Sequence, residues 1–431
     1  MERRIENRIE QVLILLLLLA GASAGIRAAP PEPSDSQLQG LVAEAVRNSP
    51  EIRAAGNERL ASQHRVSPAG ALDDPMLEAG VLNAPWSGLR LNREDMTMKM
   101  LGLSQKFPFP GKRELRQGVA EKDAESVGHA YQETVNRVVR DVKTAYFELA
   151  FVTESARLVD KNRQALEQFL KISESRYSVG QGNQADVLKA QTQLSRMADE
   201  LLKLGRDRRA VEGELMRALG RGPGSNPPAP GALNARESTL QLEALQETAL
   251  KERPQILGLK SLIDRGGKAL ELARKDYYPD FDVKFSYGQR DKTPDGMSRD
   301  DLVSLTVAIN LPVWRETKRD PRVAEAIAMR DQAMELYQAQ QNEIASKLRQ
   351  QVANAEQSLK SARLYETGIL PQARLAVESS LAAYRVNRVE FLTLLDSQMT
   401  VLNYEVSYAA ALASYNKALA EIELLVGKTA N

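Results

Sequence analysis

Between Lys112 and Tyr177 the chain runs without a proline, and its only glycines are Gly118 and Gly128. Apolar residues recur at Tyr131, Val135, Val138, Val142, Ala145, Leu149, Val152, Ala156 and Val159. Steps that alternate four and three make a heptad seam. Arg163 interrupts it, and Leu166 and Leu170 resume it. At ~1.5 Å of rise per residue such a helix is roughly 100 Å long, too long for the inside of a globule. It has to be a coiled-coil member or a stave in a larger wall.

The chain then does the same thing again. Ala45-Val-Arg-Asn-Ser-Pro50-Glu-Ile52 matches Ala249-Leu-Lys-Glu-Arg-Pro254-Gln-Ile256, and Pro75 and Pro108 match Pro279 and Pro312, all on one offset. Tyr177-Ser-Val179 matches Tyr384-Arg-Val386 after a small shift of register. Self-similarity at a fixed period marks a duplicated architecture. The first repeat spans 38–220 and the second 238–428. The segment 221–237, rich in Gly and Pro, reads as a linker. Leu348, Val352, Ala355, Leu359, Ala362, Ile369, Ala373 and Ala376 carry the seam of the second long helix, and Pro371 predicts a kink inside it. Each repeat is expected to hold a short helix, two strands, a long helix (112–178, then 322–386) and a return helix (185–219, then 390–426). The hairpins turn through Gly180-Gln-Gly-Asn183 and Asn387-Arg388.

Period-two alternation marks the strands. It is clearest in Phe281-Asp-Val-Lys-Phe-Ser-Tyr287 and Leu305-Thr-Val-Ala-Ile-Asn-Leu311, and it is present in Leu77-Glu-Ala-Gly-Val81 and Met96-Thr-Met-Lys-Met100. Four strands are predicted, at about 76–83, 96–107, 281–289 and 302–311. A closed barrel needs about eight, so one chain cannot close its own. Either a small half-buried sheet forms, or several chains pool strands. Met96, Met98 and Met100 share one strand face, and Thr97 and Lys99 share the other. The Lys/Thr face suits a wet lumen, so the methionine face is expected to meet lipid, and the thioethers are read as packing.

Composition removes most chemistry. With no cysteine there is no disulfide, thiolate metal site or thiol nucleophile. His64 and His129 are the only histidines and lie on different segments, so no metal or cofactor site is expected, and no catalytic set or phosphate loop appears. Lys plus Arg (58) balances Asp plus Glu (57), which argues against a nucleic acid partner. Residues 1–24 combine Arg3, Arg4 and Arg8 with the apolar run Val12–Ala20 and small residues around 24–29. That is the layout of a secretory signal peptide. No other stretch is apolar enough to span a membrane, so hydropathy alone makes the mature chain soluble.

Taken together, the duplicated layout, the tips Tyr177-Ser-Val-Gly180 … Asp186-Val-Leu-Lys-Ala-Gln191 and Tyr384-Arg-Val … Phe391-Leu-Thr-Leu-Leu-Asp396-Ser-Gln398, and Gly368-Ile-Leu-Pro371 resemble the bacterial outer-membrane efflux proteins, the TolC-like channels. The resemblance covers roughly 38–428. It implies a mainly α protein with a membrane β-barrel part. Coiled-coil hairpins of a homotrimer would form a periplasmic α-barrel, and its twelve pooled strands would form an outer-membrane barrel in contact with lipid. The channel would act as a passive duct rather than an enzyme, working with a periplasmic adaptor and an inner-membrane efflux pump. Leu103-Ser-Gln-Lys-Phe-Pro-Phe-Pro-Gly-Lys112 is similar to members that serve heavy-metal cation pumps. Drug or organic export and type I protein secretion stand as alternatives, and a periplasmic coiled-coil adaptor is a further one.

Site residues carry over from the same resemblance. Tyr384, Asp186 and Arg388 correspond to a clasp that shuts the tunnel, with Arg388 one position before the family's usual place. Asp396 corresponds to one of two acidic residues of a cation-attracting ring, and Thr393 occupies the other position. Gly180, Gly182 and Asn387 are expected to tolerate positive φ at the reversals and, by the resemblance, to contact the adaptor. Trp86 and Trp314 bracket the strands, where interfacial aromatic belts lie.

Overall fold

The computed structural model describes residues 33–427, except 87, 89, 90, 93, 223, 236 and 237. The predicted signal segment lies outside the described residues. Two helices open each repeat. They are α1 (Pro33–Asn48) and α2 (Pro50–Gly70) in the first, α5 (Leu242–Glu252) and α6 (Pro254–Lys275) in the second. The predicted single short helix is therefore split. Pro50 and Pro254 take the first helical turn, and Ser49 and Arg253 before them are extended, as a residue preceding proline prefers.

Strands β1 (Met76–Leu82) and β2 (Met98–Phe107) follow in the first repeat, β3 (Phe281–Gln289) and β4 (Leu302–Ile309) in the second. They form one antiparallel sheet in the order β1-β2-β3-β4. The central pair joins the repeats, Leu103 opposite Phe285, and leaves β1 and β4 as edges.

Helix α3 (Lys112–Ser178) is unbroken for 67 residues. It begins after Gly111 at φ 89°, where Phe107-Pro-Phe-Pro has ended β2. The return helix α4 is Gln184–Ala218, capped by the Asn183 side chain accepting from Ala185 N at 3.1 Å. In the second repeat a π-turn (Arg315–Arg319) leads into α7 (Asp320–Leu364), a second π-turn (Tyr365–Ile369) into α8 (Leu370–Arg385), and α9 (Phe391–Val426) returns. The kink predicted at Pro371 takes the form of that second π-turn. Proline cannot donate to the carbonyl four residues back and crowds it, and a widened turn just upstream absorbs both defects.

Three large buried clusters hold the rod together, and a small fourth one, of Leu270, Ala273 and Ala326, joins α6 to α7. One packs Leu41, Ile52, Val142, Leu149 and Leu219, and its counterpart in the second repeat packs Ile256, Leu348, Val352, Tyr415 and Ile422. The third joins the two hairpins toward their tips through Leu166, Phe169, Tyr384, Phe391 and Leu394. The seam positions Val138, Val142, Leu149, Val152, Val159 and Leu166 are all buried. The duplication extends to the caps. Gly220 (φ 68°) and Gly427 (φ 81°) end α4 and α9, and each presses on the joint ahead of Pro50 or Pro254. A Cβ on Gly220 would lie 2.7 Å from Asn48 O, and one on Gly427 2.6 Å from Arg253 Cα.

Residues after Ala218 cross the rod as a pinned strap rather than a loose tether. Arg221 makes two hydrogen bonds to Glu44, at 2.6 and 2.8 Å. Gly231 N donates to the Tyr146 hydroxyl at 2.8 Å, and Asn416 Nδ2 donates to Asn234 O at 3.0 Å.

Candidate functional site: strand faces and hairpin tips

Register assigns the two faces of the sheet. Leu77, Leu103, Phe285 and Leu305 lie side by side on one face, with Ala79, Leu101, Tyr287 and Val303 in the next row. Their large side chains are exposed, from 41% at Tyr287 to 72% at Leu305. On the opposite face the rows are Met76, Ser104, Lys284 and Thr306, then Glu78, Gly102, Ser286 and Ser304. Lys284 pairs there with Glu78. One continuous apolar face and one polar face suit lipid outside and water inside.

This reverses the expectation for the methionines. Met98 and Met100 share the polar face, Met98 lying over Gly288, whereas Lys99 is on the apolar face. Met96 precedes β2, and Thr97 is buried with its hydroxyl donating to Asn83 O at 2.8 Å. The five-residue window 96–100 misled because the apolar phase of β2 shifts by one residue just beyond it, between Met100 and Leu101. Leu101 and Leu103, one step out of phase with Met98 and Met100, set the lipid side. Lys99 is tolerated at the strand end because its ammonium reaches Asp291 at 3.1 Å. Solubility is corrected too. No described helix is long and apolar enough to cross a membrane, but the apolar surface lies in the sheet, where a hydropathy window cannot find it. Trp86 and Trp314 are both exposed. His64 is exposed, whereas His129 is half-buried against Gly258 of α6 and burial lowers its pKa.

Helices and strands meet at a buried lysine. Lys112, 3% exposed, bonds Asp280 at 2.8 Å and the Tyr278 carbonyl at 3.3 Å. Phe109 N donates to Asp280 at 2.7 Å while the Phe109 ring stacks on Tyr278 at 4.6 Å. The Phe-Pro-Phe-Pro-Gly-Lys segment is thus the bracket that sets the first long helix against the strand of the other repeat. Sequence pattern alone showed a helix start and a proline stop, with no sign of Asp280.

At the tips, Tyr384 is buried at 3% exposure, and its hydroxyl lies 3.2 Å from the Ser173 hydroxyl. Arg176 places its guanidinium 4.5 Å from the Tyr384 ring centre and donates to the carbonyls of Tyr384 and Gln181. Phe391 meets the ring edge-on at 5.7 Å. The structure therefore joins Tyr384 to Ser173 and Arg176 inside one protomer, a contact that sequence reasoning missed. Asp186 sits half-buried in the first turn of α4, and Arg388 is exposed. Among the described residues neither makes a side-chain hydrogen bond or ion pair, and neither touches Tyr384. Asp396 is exposed on α9 with Thr393 one turn before it. Gly180 (φ 74°) and Asn387 (φ 61°) do adopt the left-handed conformation. Gly182 does not; a Cβ there would lie 2.9 Å from Tyr177 N, so close approach is what requires glycine.

A rod of two helical hairpins that carries an open amphipathic sheet is one protomer of a barrel-ended membrane channel. The family model for outer membrane efflux proteins matches residues 41–221 and 245–428, one block per repeat, and the chain belongs to that family. Its members act as ducts, and in tripartite systems they work with an adaptor and an inner-membrane pump; homologues of this kind are trimeric. The cobalt-zinc-cadmium resistance protein CzcC of Cupriavidus metallidurans is 22% identical over 322 residues, 74% of each chain. The outer membrane efflux protein BepC of Brucella suis is also 22% identical, over 62% of this chain and 58% of its own length. The outer membrane protein VceC of Vibrio cholerae superposes with a TM-score of 0.77 at 17% identity, over 91% of this chain and 96% of VceC. The protein is an outer-membrane efflux channel with a large periplasmic helical portion.

Proposed function

We propose that the chain is the exit duct of a tripartite pump for heavy-metal cations, a homotrimer whose twelve strands close one outer-membrane barrel. Closure is supported by the sheet itself. Its two unpaired edges, β1 and β4, run antiparallel to each other, so a neighbour's β4 continues the sheet at β1. Unpaired edge groups cannot face lipid, and a ring of copies satisfies them all. The metal substrate is supported by the likeness to the cobalt-zinc-cadmium resistance protein over three quarters of both chains. A strain lacking this gene should lose tolerance to Co2+, Zn2+ and Cd2+ while keeping its tolerance to detergents and dyes. The opposite pattern would replace metals by organic export.

The tips take the adaptor and hold the gate. In this reading Asp186 and Arg388 meet across the threefold axis, with Tyr384 as the third member of the clasp; that neither has a side-chain partner in its own protomer among the described residues supports it. Asp396 from three copies forms a ring of carboxylates that attracts cations. Gly180, Gly182 and Asn387 shape the surface that the adaptor grips. Replacing Tyr384 by Phe together with Arg388 by Ser should raise single-channel conductance in a planar bilayer, and an unchanged trace would remove the clasp.

A further inference from the structure

Asn162 of α3 is 4% exposed and faces α4 and α9. Its Oδ1 accepts from Gln398 Nε2 at 2.5 Å. Its Nδ2 has two acceptors, both sulfur: Met399 Sδ at 3.7 Å and Met197 Sδ at 4.0 Å. Gln193 Nε2 also points at Met399 Sδ, at 3.2 Å. Thioether sulfur is a weak acceptor, and a buried amide that lacks a good partner is destabilising by about 1–3 kcal/mol. An apolar side chain would pack there without that cost. Two thioethers, one from each hairpin, instead converge on a single amide group.

We infer that Met197, Met399 and Asn162 form a binding site for a soft monovalent cation, Cu+ or Ag+. The two sulfurs supply the soft ligands that such ions prefer. An amide can be turned end for end at little cost, since its two ends are nearly alike in shape. In the turned orientation Asn162 Oδ1 faces the sulfurs as a third ligand. Nδ2 then faces Gln398, whose own amide turns to accept from it. Among the described residues no group of three or more His, Cys, Asp or Glu gathers anywhere to hold a metal. Co2+ and Zn2+ therefore lack the harder ligands they need at this point. Asn162 and Gln398 also line a cleft of about 240 Å3 with Lys161, Arg374, Glu378 and Glu405. The cleft reaches Asn162, and its two cations and two carboxylates carry no net charge. That suits one positive charge bound by neutral ligands better than two.

The site goes beyond the metal-export reading by adding a soft monovalent ion to the divalent ones, and rests on that reading for its role, though not for binding itself. Purified channel carrying 13C-methyl methionine, titrated with AgNO3 in chloride-free buffer, tests the binding directly. The Met197 and Met399 methyl resonances should shift before those of the exposed Met329 and Met334, and ZnSO4 should leave them in place. Met197→Leu with Met399→Leu keeps the packing volume, which heat-resistant trimer migration on gels verifies, and should weaken Ag+ binding at least about tenfold. Unmoved Met197 and Met399 signals, or equal affinity in the folded double variant, would overturn the site. In cells, loss of Ag+ tolerance on gene deletion, restored by the wild type but not by the double variant, is the expected outcome. If deletion leaves tolerance to every metal unchanged, the export reading falls, and the methyl shifts still decide the site.

Discussion

Arg176→Ala should loosen the second hairpin from the first without unfolding either. Arg176 reaches from the end of α3 to the last turn of α8, holding the Tyr384 carbonyl and the face of its ring. It also holds the Gln181 carbonyl at 3.2 Å, within its own tip. A hydrogen bond from a charged donor contributes about 1.5–3 kcal/mol, and a cation–π contact about 0.5–2 kcal/mol. Arg176 is half-buried, and the Tyr384 carbonyl keeps the Asn387 amide at 3.1 Å. No orphaned acceptor results, so the low ends of both ranges apply, giving about 2 kcal/mol and a shift of about thirtyfold in the local opening equilibrium. Tyr384→Phe removes only the hydroxyl contact to Ser173, worth about 1 kcal/mol or about fivefold. Amide hydrogen exchange over residues 381–391 reads this directly, because local opening sets exchange there. Faster exchange confined to that segment and to 176–183, in the order Arg176→Ala, Tyr384→Phe, wild type, is the expected result. Wild-type exchange in Arg176→Ala would refute the tie. So would equal acceleration around α1 and α5, far from the tip.

Three further outcomes check other parts of the structure. Leu305 and Ser304 are neighbours in β4 on opposite faces; Leu305→Lys should block assembly in outer-membrane fractions, at a cost of about 2–4 kcal/mol near the bilayer midplane, whereas Ser304→Lys should assemble normally. Lys112→Met leaves Asp280 with only the Phe109 amide; since that carboxylate is about one-third exposed, the loss should be about 1–3 kcal/mol, read as a lower temperature of trimer dissociation on gels. The Arg221 hydrogen bonds hold the Glu44 carboxyl below its usual value of 4.5. A depressed acid stabilises the fold fully above its unfolded pKa, and the contribution fades as pH falls through the folded value. Proteolysis of the strap should therefore accelerate in acid, and Glu44→Gln should flatten that dependence while raising cleavage at neutral pH.

The heptad of the first long helix was legible because each seam position is decided by local spacing, and every seam residue of α3 is buried or half-buried. The strands followed from period two for the same reason. What could not be read depends on partners far along the chain. Arg176 at a helix end looks like a solvated charge until Tyr384, 208 residues away, is set beside it. Lys112 looks like a first-turn lysine until Asp280 arrives from the other repeat. The methionine stripe was placed on the wrong side because the apolar phase of β2 shifts between Met100 and Leu101, so the short window carried the opposite phase to the rest of the strand. The strand's register against Phe285 and Tyr287 sets the side. Pro50 and Pro254 were visible as a matched pair, yet proline marks a helix start and a helix break equally well, so the split of the opening helices stayed hidden.

Charge balance, which at first only excluded partners, has a structural cause in the way the two repeats meet. One set of ion pairs along the helices joins neighbours one turn apart, such as the exposed Lys251–Glu247 and Lys347–Glu343, each of little energetic worth. A second set crosses between repeats. Arg140 reaches Glu421 at 2.7 Å, Lys143 reaches Glu423, and Lys417 reaches Glu148 at 2.6 Å. All three join α3 to α9 and all are at most about one-third exposed. The cations are not confined to one helix, since α3 donates two and receives one. Sliding α9 by one turn along α3 would break all three pairs and would bring Glu421 toward Glu148 in one direction or Lys417 toward Arg140 in the other, a penalty that apolar seams of small residues would not impose. Crossed pairs of alternating direction thus fix the stagger between long staves. A wall built this way needs nearly equal numbers of both signs, independent of what passes through it.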